Sequence, residues 1–367
     1  MRRRIPHSLH ALTFPSLFLL RTTAFSVSWG VFSFSFSDLG FDLLHAARSL
    51  ALSTHGPGKI VDTNLSAHFR THHDFDKGNA ALTQQFTKSA QFYQDLGTRL
   101  VTCGHCVDLF ACSLDQVGVA EMFPMVEGTG GQIVLSESYQ HHVFRESIKK
   151  IFERDNATGD MKAALKVEFE CRCSHEIKVC GMIGPAASAD KPSPLVSDME
   201  IGCGNTVRWK AGTANKHSSY AFYFDVVVQH TTQESPSLKH FYLQFVTEYA
   251  HANGRRAIRA VTVCRAWAVP ASPTLALGFD QEAAACLIAK MASSRAEEGQ
   301  DVIDIIRWLD RMLVALANRF GQYNEGRPES FRLPAHMSQY PEFMYHLRRS
   351  QVLQVFNNSP DETVFFR

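Results

Sequence analysis

Between Phe279 and Arg367 the apolar residues recur three and four positions apart, and this period commits the stretch to helices packed on one another. In FDQEAAACLIAKMASSRAEEG, Ala284, Leu287, Ile288 and Met291 share one helical face. Asp280 is the expected N-cap, and Glu282 lies in the first turn, where a carboxylate suits the positive end of the helix dipole. The Glu297-Glu298-Gly299 break precedes a second stripe of Val302, Ile305, Leu309, Met312, Leu313, Leu316 and Phe320. Gly321 stands where a helix C-terminal glycine belongs, and Pro341 opens a third helix through EFMYHLRRS. The tail, QVLQVFNNSPDETVFFR, alternates weakly and is broken at Pro360.

From Asn156 to Trp267 the period changes. LKVEFECRC, EIKVCGMIG, TVRWKAG, YAFYFDVVVQ, FYLQFVTEYA and RRAIRAVTVCRAWA are short β-rich runs between polar, Gly- or Pro-containing stretches, the pattern of a β-sandwich or barrel. Alternation at Tyr242, Gln244, Val246 and Glu248 leaves one face wet, as in an antiparallel sheet.

Upstream, Ser53 to Gly58 is a turn-rich loop. DFDKGNAALTQQFTKSAQFYQDLGTRL reads as a helix with Leu82, Phe86, Ser89, Tyr93 and Leu96 near one face. A buried strand at Val107–Ala111, a short polar turn, a strand in GGQIVLSESY and a closing helix in VFRESIKKIFERD follow. Helix, strand, turn, strand, helix is the grammar of an open α/β sheet. The expected architecture is therefore three-part: α/β over 53–155, all-β over 156–268 and all-α over 269–367.

Residues 1–52 receive no domain. They begin MRRR, carry no acid before Asp38 and suit a signal or transit peptide. Pro15 and Arg21 interrupt the apolar run, leaving it too broken for a transmembrane helix, and the alternation from Ser26 to Ser37 equally suits a strand. Sequons at Asn64, Asn156 and Asn357 would matter only in a secreted chain.

Near-balanced charge gives no electrostatic footprint for nucleic acid. Nine cysteines, an odd number spread along the chain, make no disulfide framework and point to a reducing compartment. Cys103 and Cys106 form a single CxxC without the second ligand pair that a structural zinc needs, and Cys171 and Cys173 are a poor substitute. A thiol or zinc enzyme around Cys103 and Cys106 stands as an alternative reading, against ordinary thiols. Gly128-Thr129-Gly130-Gly131 lacks the Lys and Ser/Thr of a phosphate-binding loop and reads as a turn before a strand. His72-His73 and His141-His142 point adjacent side chains in different directions, which weakens a shared-ligand reading. No G-x-S-x-G elbow is present, and no catalytic constellation emerges. Arg255, Arg256 and Arg259 form one basic cluster and Arg348-Arg349 another; each reads either as a solvated edge or as a surface for anionic headgroups.

Particular strings say more than periodicity. FDQEAAA, RWLDR, YPEFMYHLRRS and above all LQVFNNSPDE resemble the helical domain of the GTPase-activating inner-coat subunit of COPII, the Sec23 family. MIGP, EIGCGNT, QFVTEY and GRRAIRAVTVCRAWA resemble that family's β-sandwich, and VDLFACSLDQVG and GTGGQIVL the second half of its von Willebrand factor A-like trunk. The resemblance runs co-linearly from Ser53 to Arg367. It implies a cytosolic, non-enzymatic coat subunit for endoplasmic reticulum to Golgi transport, peripheral at exit sites and on vesicles. Its implied partners are a Sec24-type cargo-binding subunit, a Sar-type small GTPase, outer-coat subunits and an anionic membrane.

In the family the activating arginine comes from a gelsolin-like domain after the helical domain, so Arg367 is not expected to be that finger. No string here matches the family's zinc-binding segment or the first half of its trunk, and no zinc ligand carries over. The expectation is a scaffold with little activating power and an open edge on its trunk sheet. An interaction protein derived from the family, without activation, is the second reading.

Overall fold

The computed structural model describes residues 45–49, 56–61, 70–76, 80–112, 116–138, 140–189, 193–227, 240–267 and 276–367. The readings of residues 1–44 and of the Asn64 sequon lie outside the described residues.

The first layer is a parallel sheet. Strand β1 (His45–Ser49) pairs with β2 (Val107–Cys112), which pairs with β3 (Ile133–Ser136). Helices α1 (His72–Asp76), α2 (Ala80–Thr102), α3 (Val119–Thr129) and α4 (His142–Ile151) accompany it. Parallel strands cannot be joined by a hairpin, and the connection between β2 and β3 is a helix, not the short polar turn expected from the sequence. Pro124 hid it, because a proline in the middle of a helix removes one backbone bond. The helix holds because Met122, Met125 and Val126 are buried against Leu109 and Tyr93. Left-handed Gly118 and Gly130 bracket it, and the Gly130 amide closes back on Glu127 and Val126. Gly130 and Gly131 thus form the turn before β3 that the sequence indicated, whereas Gly128 and Thr129 close α3 itself.

The second unit is the sandwich: β4 (Ala164–Cys173), β5 (Ile177–Ile183), β6 (Ala187–Ser188), β7 (Arg208–Ala214), β8 (Ala221–Val226), β9 (His240–Ala250) and β10 (Arg256–Ala266). One sheet runs β10-β9-β4-β7-β6 and faces the antiparallel pair β5-β8. Inward residues Val167, Phe169, Cys171, Ile177, Met182, Trp209 and Leu243 make its core. The fully buried Trp209 indole donates to the Cys203 carbonyl at 2.8 Å, so its one polar atom is satisfied. Phe110 and Phe144 share a cluster with Leu165 of β4, which joins the parallel sheet to the sandwich.

The helical unit is α5 (Gln281–Glu297), α6 (Val302–Phe320), α7 (Tyr340–Arg348) and α8 (Pro360–Phe366), with a hairpin of β11 (Gln322–Asn324) and β12 (Arg327–Arg332) after α6. Asp280 caps α5, accepting from the Glu282 and Ala283 amides at 3.1 and 3.0 Å. The α5 stripe divides between two cores. Ala284 and Ile288 pack with Ile305, Leu309, Tyr340 and Met344. Leu287 and Met291 pack on Cys180, Ala221 and Tyr223 of the sandwich, where the Tyr223 hydroxyl donates to the Leu287 carbonyl at 2.8 Å.

Two local readings change. Gly321 ends α6 with an extended backbone, not a left-handed one. A Cβ there would lie 2.4 Å from the Phe331 ring and 2.5 Å from the Ala317 carbonyl, so close approach of β12 demands the glycine. Pro360 does not break the tail; it begins α8, after Ser359, whose hydroxyl accepts from the Glu362 amide at 3.4 Å.

Candidate functional surfaces

The strongest polar constellation is built by residues far apart in the chain. The first turn of a helix leaves amides without internal partners, and at α3 a buried carboxylate takes three of those around its start. Asp361 Oδ2 accepts from the Val117 and Gly118 amides at 2.8 and 2.9 Å, and Oδ1 accepts from Ala120 at 3.1 Å. The helix dipole favours the negative charge at the same place. Beside it, the fully buried Arg70 guanidinium donates to both carboxylate oxygens of the equally buried Glu121. Burial lowers the Arg70 pKa from its usual value, and the neighbouring Asp361 charge opposes that shift.

The start of α1 completes the clamp. The His72 amide donates to the Asn358 carbonyl at 3.1 Å, its Nε2 lies 3.2 Å from Thr363 Oγ1, and the His73 amide donates to Asn358 Oδ1 at 3.2 Å. Asn357 and Asn358 both adopt positive φ, a conformation that asparagine tolerates better than most residues. The Asn357 sequon is thus part of the turn between α7 and α8, which packs against α1. Asn156 sits in a tight turn where the Asp155 carboxylate accepts from Ala157 and Thr158. Asp361, Arg70 and Glu121 were not singled out from the sequence; their only signal was the unusual NNSPDE string.

The basic candidates are dispersed. Strand alternation puts Arg256 and Arg259 on opposite faces of β10, so the run Arg255, Arg256, Arg259 is not one patch. Arg255 lies 3.4 Å from Asp160 and Arg256 3.6 Å from Glu248, both exposed. Arg255 also lines a cleft of about 530 Å³ with Lys162, Lys216, Tyr249, His251, Asp155 and Asp160. Arg348 pairs with Asp310 at 3.1 Å, and Arg349 donates to the Tyr345 hydroxyl while lying over its ring at 5.2 Å.

All nine cysteines are free. Cys103 is exposed on the turn after α2, whereas Cys106 is buried, and burial with the nearby Asp108 pushes its thiol well above the ordinary range. A thiol held protonated is a poor nucleophile. Cys171 is raised likewise by burial, and Cys173 is pushed up to about 11. Among the described residues no group of three His, Cys, Asp or Glu is placed to hold a metal. The reading of a thiol or zinc enzyme around Cys103 and Cys106 is not supported.

The two histidine pairs also depart from the reading given them. His141 and His142 rings lie 4.4 Å apart, because His141 is the extended N-cap of α4 and turns back over the first turn. His72 is bonded across the domain junction, not locally.

Comparison with known sequences follows the same three units. The Sec23/Sec24 trunk domain matches residues 46–155, the Sec23/Sec24 beta-sandwich domain 164–268 and the Sec23/Sec24 helical domain 280–367. The Arabidopsis thaliana protein transport protein SEC23 C is 43% identical over 331 residues, 88% of this chain and 43% of that protein. SEC23 F from the same plant is 42% identical over 327 residues, again 88% of this chain and 42% of the relative. The chain thus spans less than half the length of these relatives. The crystal structure of the human COPII-coat protein Sec24c superposes with a TM-score of 0.58 at 14% identity, covering 88% of this chain and 39% of that one; this likeness concerns the fold.

Proposed function

This chain belongs to the Sec23/Sec24 family, and from that premise we propose that it serves as an inner-layer subunit of the COPII vesicle coat. The observation that carries the proposal is the ordered run of trunk, sandwich and helical domains, with identity to plant proteins named for protein transport. The role is structural and regulatory, and no residue here is assigned to substrate turnover. Contact with a Sec24-type subunit belongs to the trunk in this reading, and recruitment depends on a GTP-loaded Sar-type GTPase at endoplasmic reticulum exit sites. Outer-coat subunits would then assemble over this layer.

Among the described residues no helix is long and apolar enough to cross a membrane, so attachment in this proposal is peripheral. Arg255 and Arg256 on one edge, and Arg348 and Arg349 at the end of α7, supply the cations; each cation near an anionic leaflet contributes about 1 kcal/mol. GTPase activation is the finer part of the role. A trans-acting arginine must reach the transferring phosphoryl group, whereas Arg367 donates to the Ala296 carbonyl at 3.2 Å and is held within the helical domain. We therefore assign recruitment and scaffolding to these domains and no activating residue.

The test is reconstitution on liposomes with a Sar-type GTPase, a Sec24-type subunit and this polypeptide. GTP-dependent sedimentation of all three is expected, with single-turnover hydrolysis followed in the same tubes. Absence of GTP-dependent recruitment would overturn the proposal, and stimulated hydrolysis would show that an arginine in these domains acts after all.

A further inference from the structure

The sandwich is lopsided. Five strands on one side face two on the other, and β10 is the outermost of the five, beyond β9, whose Phe245 still packs on Phe222 of β8. Among the described residues β10 is the outer strand, eleven residues long, and nothing pairs with its far edge. Long bare edges are ordinarily blunted, because their amides and carbonyls accept a further strand.

The side chains on this edge carry a pattern. Val261 and Val263 pair with Phe245 and Leu243 of β9 and so point to the inner face, where both remain half-exposed. Arg259 and Arg265 share that face, pair with Thr247 and Phe241, and are exposed. Read at alternate positions, the inner face of the edge is therefore cation, apolar, apolar, cation. From Arg256 to Ala266 the strand holds three arginines and no acid.

We propose that the β10 edge takes up an extended peptide as an added strand, and that this peptide carries an acid, two apolar residues and an acid at alternate positions. Main-chain bonds along the edge give the binding its strength, and the alternate side chains give it selectivity. The two apolar residues would lie beside Val261 and Val263 and extend the core outward, and the acids would face Arg259 and Arg265. The chain's own first 37 residues contain no acid, so they do not supply this pattern.

The experiment measures binding of a labelled synthetic peptide, acetyl-Ser-Glu-Thr-Val-Thr-Val-Thr-Glu-Ser-amide, to the full polypeptide by fluorescence anisotropy. A twin with both glutamates replaced by lysine is measured beside it. The acidic peptide should bind and protect the β10 amides from hydrogen exchange, and its twin should bind at least ~10-fold more weakly. The Arg259→Glu/Arg265→Glu double variant should reverse that order, and binding of the lysine peptide would itself show that the variant is folded. Arg256→Glu, on the opposite face, should leave both affinities unchanged. Failure of the acidic peptide to bind, protection elsewhere than on β10, or equal binding of both peptides would overturn the proposal. Liposome binding that depends on Arg259 and Arg265 while the peptide does not bind would assign the edge to a membrane instead.

Discussion

The Asp361 carboxylate accepts a hydrogen bond from the Val117 amide at 2.8 Å, across 244 positions of sequence. The tail of the helical domain thereby closes the start of a helix in the parallel sheet, and the last helix of the chain is tied to the first layer of the fold. Replacing Asp361 with Ala leaves the Val117, Gly118 and Ala120 amides without their acceptor. Removing a side-chain cap costs about 0.5–2 kcal/mol, and unsatisfied buried donors add to that. The expected result is a lower unfolding midpoint with faster hydrogen exchange at those three amides. Unchanged exchange there would show that water or another group replaces the carboxylate.

Arg70 and Glu121 form a buried ion pair beside this cap, and breaking it should be worse than deleting it. Glu121→Ala strands a cation in the interior and is expected to cost about 3–5 kcal/mol. The double variant Arg70→Met/Glu121→Leu removes both charges and should recover a large part of that loss. Chemical denaturation of the wild type, both single variants and the double variant closes the cycle. A double variant less stable than either single one would contradict the argument.

Asp108 lies in the middle of β2, is 4% exposed and accepts from the Gln132 amide at 2.8 Å. Burial pushes its pKa up to about 7, with the backbone bond partly opposing. A raised carboxylate pKa means that the folded state prefers the proton. Its contribution to stability is therefore full below the unfolded value of 3.8 and is lost as pH rises through about 7. Asp108→Asn keeps an oxygen for Gln132 and cannot ionise. It should be about 2–4 kcal/mol more stable than wild type near pH 8, with the advantage shrinking toward pH 5. An advantage independent of pH would place the titration elsewhere.

Arg255 and Arg256 are exposed, facing a half-buried Asp160 and an exposed Glu248, so their charge remains open to a second partner. Reversing both to Glu should weaken sedimentation with anionic liposomes by roughly tenfold or more, from the loss of about 1 kcal/mol per cation and the added repulsion. Neutral liposomes should be unaffected. Equal binding of variant and wild type to anionic vesicles would remove this edge from the membrane reading.

Elements whose cause is local were legible in advance. Asp280 caps α5 because the cap depends on residues two and three places away. The buried strand at β2 and the runs of the sandwich followed from alternation and from bounding turns. The helix at α3 was not legible, since Pro124 inside it opposes a helix locally and only burial against Leu109 and Tyr93 overrides it. Pro360 was misread for the converse reason: whether a proline ends one segment or begins another depends on the capping bond from the Glu362 amide to Ser359. The basic cluster was misjudged because adjacency in sequence is not adjacency on a strand, where Arg256 and Arg259 face apart.

By itself the sequence determined the family, the order of the three domains and most element types, because these rest on periodicity and on specific strings, which are properties of neighbours along the chain. The tertiary structure decided which residues bind the domains to one another. Asp361 meets α3, Arg70 meets Glu121, and Leu287 and Met291 leave the helical core for the sandwich. These pairings are long-range solutions to a local need: a helix start needs acceptors, a buried cation needs an anion, and an apolar face needs cover. Sequence shows the need, and only the folded chain shows which distant residue meets it.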